Sequence, residues 1–122
     1  MRFGLVSYEC RNKDLAFNLH QIERAMKDST GKVDMLCFGE SFLQGFDCLC
    51  WNYEIDRFTA LEQDSESIRQ LQRWTEQYKL ALLTGYIEKY QDKLFSSCFV
   101  IDDGEIIPGP DDKDYDFGDI DF

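Results

Sequence analysis

The chain has 122 residues and a net charge of −11, and 43% of its residues are hydrophobic. This length fits one domain, and the apolar content is typical of a packed core rather than of a disordered segment. The negative charge disfavours nucleic acid as a partner, because binding phosphate groups requires Lys and Arg to displace counterions.

The sequence carries no signal for a membrane or for secretion. It lacks a run of about 18 apolar residues, which a membrane-spanning helix needs. The apolar N-terminus is interrupted at Ser7-Tyr8-Glu9, too early for a signal peptide. We therefore expect a cytoplasmic protein that has no membrane partner and whose five cysteines are reduced.

The cysteines do not predict a metal site. Cys48-Leu49-Cys50 is the one closely spaced pair, and a zinc site built on it would need a second pair of ligands. The single histidine, His20, falls within a predicted helix. We expect no bound metal and no cofactor.

The sequence up to Glu40 predicts a strand, a helix and a second strand. Residues Arg2 to Tyr8 form an apolar run typical of a strand covered by helices. From about Asn12, the predicted N-cap, to Lys27, apolar residues recur at helical spacing. A second apolar run, Val33 to Phe38, ends at Gly39-Glu40. Ligands of parallel sheets gather beyond the carboxyl ends of the strands, which is where Glu40 is expected.

The sequence from Asp64 to Gly104 predicts one helix, two strands and a turn. Asp64 or Ser65 is the predicted N-cap of a helix with a buried stripe. Leu80 to Tyr86 and Leu94 to Ile101 then predict two strands, joined by a polar connection from Glu88 to Lys93. Asp102-Asp103-Gly104 predicts the turn that follows.

The composition changes at Pro108-Gly109-Pro110. Beyond it, residues 111 to 122 contain six aspartates and one lysine. Like charges at this density repel one another, so the stretch predicts a mobile acidic tail. We therefore divide the chain into a domain portion, residues 1 to 107, and a tail, residues 108 to 122.

Three stretches carry, in order, a pattern built around one glutamate. In Asp34 to Phe46 an apolar strand ends in Glu40, and a glycine and an aromatic residue follow. Leu83 to Glu88 and Leu94 to Ile107 match two later strands of the same pattern. The set resembles the nitrilase superfamily of carbon-nitrogen hydrolases, and the resemblance covers roughly residues 2 to 107.

The resemblance implies an α/β fold, in which this chain supplies part of a layered α-β-β-α sandwich with about four strands and two main helices. It also implies a Glu-Lys-Cys constellation that hydrolyses a non-peptide carbon-nitrogen bond in a small amide or nitrile. A cysteine becomes a strong nucleophile when a base takes its proton, and Glu40 matches that base. The lysine would stabilise the developing oxyanion, and the glutamate would later activate water.

Only Glu40 carries over from the family's constellation. Lys113 lies near the expected position of the lysine, but its neighbours are acidic rather than basic, so it is a candidate only. We expect Cys37 and Cys98 to pack in the core and the Cys48-Leu49-Cys50 pair to lie in the loop after Glu40. None of them resembles the family's nucleophile, which we expect beyond the end of this chain.

Two hypotheses remain open. The chain is the N-terminal part of a carbon-nitrogen hydrolase, truncated before its nucleophile and inactive alone. Alternatively, it is a non-catalytic truncated homologue or an acidic interaction module, in which Glu40 caps a turn or pairs with a surface lysine. In either case half of a sheet leaves a strand edge unpaired, so we expect self-association or a partner that covers this edge.

Overall fold

A computed structural model describes residues 1 to 107, which form a five-stranded mixed sheet. The strands lie in sequence order across the sheet: β1 (Phe3–Leu5), β2 (Met35–Cys37), β3 (Ala81–Tyr90), β4 (Lys93–Asp102) and β5 (Glu105–Ile107). The first three strands are parallel, and β4 is antiparallel to both of its neighbours. The helices are α1 (Leu15–Ser29), α2 (Tyr53–Asp56) and α3 (Glu66–Tyr78).

The predicted α/β class is confirmed, together with the parallel strand, helix, strand unit. The predicted tail, residues 108 to 122, lies outside the described residues, so its boundary with the domain stays a prediction. Within residues 1 to 107, the helices are all too short or too polar to cross a membrane.

The region around the β3–β4 hairpin differs from the prediction. The expected polar connection, Glu88 to Lys93, is wrong, because both strands continue through it to a two-residue turn at Gln91 and Asp92. These two residues have φ angles of 49° and 62°, and two positive φ angles are typical of the tight turns that match the twist of a hairpin. β5 is a strand that the prediction did not contain; it pairs with β4 after the turn at Asp103 and Gly104.

The N-cap predicted for α1 is also wrong. Asp14, not Asn12, caps the helix, and its Oδ1 accepts a hydrogen bond from Phe17 N at 3.1 Å. The side chain of Asn12 instead accepts from Asp47 N at 2.9 Å, which ties the start of α1 to the loop after Glu40. Of the two residues predicted to cap α3, Asp64 and Ser65, the structure selects Ser65, whose side chain makes no capping hydrogen bond.

The two faces of the sheet have different environments. Helices α1 and α3 share a buried core with one face, whose side chains include Leu36, Leu82, Phe99 and Ile101. Because side chains alternate along a strand, the neighbouring residues point to the opposite side. We call that side the exposed face, and define it by these residues: Phe3, Leu5, Met35, Cys37, Leu83, Cys98, Val100 and Ile107.

β3 extends beyond the end of β2, and other groups satisfy its backbone there. Ile87 N donates to Gln44 Oε1 at 3.0 Å, and Gln44 Nε2 donates to Ile87 O at 2.8 Å. Leu61 adds two backbone hydrogen bonds, one to Ile87 O and one from Lys89 N, each of 2.9 Å. The buried side-chain amide of Gln44 thus supplies the hydrogen bonds that a residue of a neighbouring strand would make. Buried backbone N–H and C=O groups require such partners.

The segment before α2 is organised around the buried carboxylate of Asp56. The backbone N–H groups of Cys50 and Trp51 donate to its two oxygens at 3.0 and 2.9 Å, and the thiol of Cys50 donates at 3.3 Å. Burial alone raises the pKa of Asp56, but these donors and the N–H of Asn52 outweigh it, so the net pKa lies below the ordinary value.

We expect Asp56→Asn to lower the free energy of unfolding by about 1–3 kcal/mol near neutral pH, because N–H donors would lose a charged acceptor. Since folding lowers the pKa of Asp56, its stabilisation is present above the unfolded pKa of about 3.9 and is lost as the pH falls through the folded value. Urea unfolding of both proteins across this pH range tests the prediction. Asp64→Asn, at an exposed position, is the control; a difference that persists at low pH would contradict the assignment.

Candidate active site

Glu40 lies beyond the carboxyl end of β2, as predicted. Phe38 N donates to Leu83 O at 2.8 Å, which extends the parallel pairing with β3 by one residue past β2. The backbone then turns away from the sheet, and Ser41 adopts a φ angle of 53°. The turn closes with a hydrogen bond from Gly45 N to Ser41 O at 2.8 Å.

This turn packs directly against β3 at Gly85. A Cβ atom placed on Gly85 would lie 2.9 Å from Ser41 N and 3.1 Å from Glu40 Cα. Atoms of a folded protein do not approach so closely without a shift in one of them. The absence of a side chain at Gly85 therefore allows the backbone of Glu40 to lie where it does.

A cleft of about 410 Å³ opens beside Glu40. Three consecutive residues from each of three segments line it: Phe38, Gly39 and Glu40; Leu83, Thr84 and Gly85; Ser96, Ser97 and Cys98. The side chain of Glu40 is exposed, and its Oε1 accepts a hydrogen bond from Ser96 Oγ at 3.2 Å. A carboxylate held in this way can accept a proton from a molecule in the cleft.

The cysteines are not placed as predicted. The expectation that Cys98 packs in the core is wrong, because Cys98 is exposed and lines the cleft beside Glu40. The reason is the strand register, which pairs Cys98 with Gly85 on the exposed face rather than on the helix-covered side. Cys37, also expected in the core, is only partly buried and lies on the same face.

The two cysteines of the Cys48-Leu49-Cys50 pair do not line the cleft. Cys48 is buried, and this burial raises the pKa of its thiol, which disfavours the nucleophilic thiolate. The thiol of Cys50 donates to Asp56. The structure therefore gives both cysteines a place in the loop, as predicted, without bringing either one to Glu40.

In the described part of the chain, no lysine lines the cleft beside Glu40, since none of the nine lining residues is basic. The candidate Lys113 lies outside the described residues. Residues 1 to 107 also contain no cluster of three or more potential metal ligands among His, Cys, Asp and Glu.

Glu88 is a buried carboxylate that the sequence prediction missed. Its side chain is 1% exposed and accepts a hydrogen bond from Ser97 Oγ at 2.9 Å. It contributes to the wall of a larger cleft of about 690 Å³ that does not include Glu40. The alternation of Thr84, Tyr86 and Glu88 along one face of β3 is the signal that could have placed it inside a strand.

Comparison with known proteins identifies the family. Residues 3 to 115 match the carbon-nitrogen hydrolase family over most of the chain. The chain belongs to the carbon-nitrogen hydrolase family. The match extends past the described residues and includes the position of Lys113. A comparison with curated protein sequences gave no match.

Solved structures of family members share the fold. A CN-hydrolase superfamily protein from Xanthomonas campestris, with an arsenic adduct in its active site, superposes with a TM-score of 0.73 at 20% identity, over 86% of this chain and 38% of that one. An amidase from Nesterenkonia superposes with a TM-score of 0.71 at 21% identity, over 88% of this chain and 40% of that one. A glutamine-dependent NAD⁺ synthetase from Cytophaga hutchinsonii superposes with a TM-score of 0.66 at 16% identity, over 87% of this chain and 18% of that one.

These similarities establish a partial nitrilase-like fold. The chain spans about two fifths, or less, of the length of each of these structures. The family and the fold predicted from Asp34 to Phe46 and the two later stretches are therefore confirmed.

We expect Gly85→Ala to displace the Glu40 turn, because the new Cβ would overlap Ser41 N and Glu40 Cα. The expected loss of unfolding free energy is about 1–3 kcal/mol, with loss of the hydrogen bond between Ser96 and Glu40. Gly39→Ala is the matched control, since a Cβ there meets no atom within 4 Å. Chemical denaturation measures the stability, and a crystal structure of each variant shows the turn. An unchanged Glu40 position in Gly85→Ala would contradict the close-approach argument.

Proposed function

We propose that this chain is the N-terminal part of an enzyme that hydrolyses a non-peptide carbon-nitrogen bond in a small amide or nitrile, with Glu40 as the general base. The observation that carries the proposal is the position of Glu40, which follows a parallel strand and opens into a cleft. The chain belongs to the carbon-nitrogen hydrolase family, and the solved structures that share its fold include an amidase. The membership of the chain in a hydrolase family does not depend on the assignment of Glu40 as the general base.

In the proposed reaction Glu40 accepts a proton and gives it up again in each of two stages. Glu40 accepts the proton of a cysteine thiol, and the thiolate attacks the carbonyl carbon of an amide. A sulfur-carbon bond forms, the carbon-nitrogen bond breaks, and the amine leaves with the proton that Glu40 had accepted. Glu40 then takes a proton from water, whose oxygen bonds to the thioester carbon; the carbon-sulfur bond breaks, and Glu40 returns the proton to the sulfur, which releases the carboxylic acid and regenerates the thiol.

The hydrogen bond from Ser96 supports this role, because it fixes the orientation of one carboxylate oxygen. A base contributes to catalysis only when it is held within hydrogen-bond reach of the proton that it takes. The close packing of the Glu40 turn on Gly85 fixes the same carboxylate from the backbone side.

We also propose that the 122-residue chain is inactive alone. The cleft walls formed by residues 1 to 107 contain no cationic side chain that could stabilise a developing oxyanion. Lys113 remains a candidate for this role. Cys98 lies in the cleft but does not match the family's nucleophile, which we place beyond Phe122 in a longer form of the protein.

We expect the chain to release no ammonia above the buffer rate from a panel of small amides and nitriles. Thiol-dependent turnover, abolished by Cys98→Ser, would overturn the proposal that this chain is inactive. In a longer form that continues through the family's lysine and cysteine, we expect Glu40→Gln to lower kcat/KM by about 10²–10⁴-fold. Glu62→Gln is the control, because Glu62 is exposed but lies outside the Glu40 cleft; equal activity of the two variants would exclude Glu40 as the base.

The alternative function is a non-catalytic homologue that acts through a partner, and the lack of a basic side chain among the nine described residues that line the Glu40 cleft supports it. We propose that either form of the protein is cytoplasmic, and that the 122-residue chain self-associates or takes a partner that covers an open strand edge. The outer strands of the described sheet, β1 and β5, have three residues each.

A further inference from the structure

Three of the nine described residues that line the cleft of about 410 Å³ carry a hydroxyl group: Thr84, Ser96 and Ser97. Two of these hydroxyls already donate to acceptors of the protein. Ser97 Oγ donates to Glu88 Oε1 at 2.9 Å, and Thr84 Oγ1 donates to Gly85 O. Ser97 and Thr84 are also nearly inaccessible, at 6% and 1% exposed. Among these three residues, Ser96 is therefore the one whose hydroxyl a molecule in the cleft can reach.

The hydroxyl of Ser96 faces such a molecule as an acceptor. Ser96 is partly exposed, and its Oγ donates its hydrogen to Glu40 Oε1 at 3.2 Å. A serine hydroxyl has one hydrogen and two lone pairs, so the lone pairs stay available. The other groups lining the described wall of the cleft include no side-chain N–H, and the thiol of Cys98 is only a weak donor. The side chains of this wall thus select a ligand that brings its own hydrogen-bond donors.

We infer that the substrate is a primary carboxamide rather than a nitrile, and that Ser96 Oγ accepts one N–H of its amide group. The inference rests on the proposed function, which left both substrate classes open. An amide –NH₂ group carries two N–H donors, whereas the nitrogen of a nitrile carries none and can only accept. A nitrile in the cleft would displace water from Ser96 Oγ without replacing the lost hydrogen bond, which weakens its binding.

The same contact places the leaving nitrogen beside the base. A nitrogen that donates to Ser96 Oγ, at about 2.9 Å, lies close to Glu40, because this Oγ is itself 3.2 Å from Glu40 Oε1. When the carbon-nitrogen bond breaks, the nitrogen keeps its two hydrogens, takes the proton from Glu40 and leaves as ammonia. Proton transfer requires the two groups to lie within hydrogen-bond reach of each other.

The lysine that the proposed function places in the cleft cannot take over the role of Ser96. Its ammonium group would donate to the carbonyl oxygen, where negative charge develops. An ammonium has three donors and no acceptor, so it cannot accept an amide N–H. The lysine and Ser96 therefore bind opposite ends of the amide group, and the contact with the nitrogen distinguishes an amide from a nitrile.

Ser97 provides a matched control, one residue further along β4. Neighbouring side chains of a strand point to opposite faces, and here Ser96 contacts Glu40 while Ser97 contacts Glu88. Removal of the Ser97 hydroxyl takes a donor from a buried carboxylate, so Ser97→Ala should lower the urea midpoint more than Ser96→Ala does. We thus expect the effect on stability at Ser97 and the effect on specificity at Ser96.

The experiment compares kcat/KM for propionamide and propionitrile, in a longer form of the protein that continues through the family's lysine and cysteine. We expect the amide to be preferred by about 10²-fold or more, because the nitrile leaves the Ser96 oxygen unpaired. Ser96→Ala should reduce this preference by about tenfold, the effect of one hydrogen bond. Ser96→Thr, which keeps the hydroxyl, and Ser97→Ala should keep the preference. The ratio of the two kcat/KM values within one variant does not depend on how much of that variant is folded.

Two results would overturn the inference. A preference of the unmodified protein for propionitrile would exclude the carboxamide class. An equal loss for both compounds in Ser96→Ala would show that Ser96 only orients Glu40 and does not contact the substrate. In either case Glu40→Gln would still abolish turnover, and the hydrolase proposal would stand. If the longer form turned over neither compound nor any other amide or nitrile, the proposed function would fail and this inference with it.

Discussion

The backbone of Glu40 lies against β3 at Gly85, at a distance that leaves no space for a side chain on that strand. This contact determines where the carboxylate can be. The turn that follows, Ser41 to Gly45, is held on the same strand through the amide of Gln44, which pairs with both backbone groups of Ile87. The position of the proposed base thus depends on one missing side chain and one buried side-chain amide, neither of which takes part in the chemistry.

The buried polar groups around this turn have a common role. Asn18 is fully buried, accepts from Arg11 N and donates to Arg11 O and Leu43 O. Like Gln44, it uses a side-chain amide to satisfy backbone groups where no strand or helix continues. A buried amide that lost these partners would cost about 1–3 kcal/mol, so such contacts specify a single loop conformation. These hydrogen bonds therefore restrict the conformation of the loop that carries Glu40.

Much of the fold was predictable, because local patterns decide it. The apolar run that ends at Phe38 and the stripe of α3 predict elements whose existence does not depend on distant contacts. The position of Glu40 was predictable for the same reason, since it lies three residues after the end of β2. The N-cap of α1 was not, because Asn12 and Asp14 are both good caps and the choice depends on Asn12 pairing with Asp47 N, far along the chain.

The errors around the cleft arise from strand register. Cys98 has apolar neighbours, which predicts a core residue, but its pairing with Gly85 turns it towards the exposed face. Glu88 is charged, which predicts a loop, but its place in the alternation of β3 buries it beside Ser97. A register shift of one residue exchanges the two faces of a strand. Because β4 carries apolar residues on both faces, its own pattern does not decide which face is buried.

The hairpin of β3 and β4 has a further consequence for how the chain acquires its structure. Nine residue pairs join the two strands across the two-residue turn at Gln91 and Asp92. The parallel pairs of β1 with β2 and of β2 with β3 require loops of roughly 30 and roughly 40 residues to close first, which slows their formation. The antiparallel ribbon is therefore the expected nucleus on which β2 and then β1 assemble. Pulse-labelled hydrogen exchange during refolding should protect its amides first, and simultaneous protection of β1 would contradict this order.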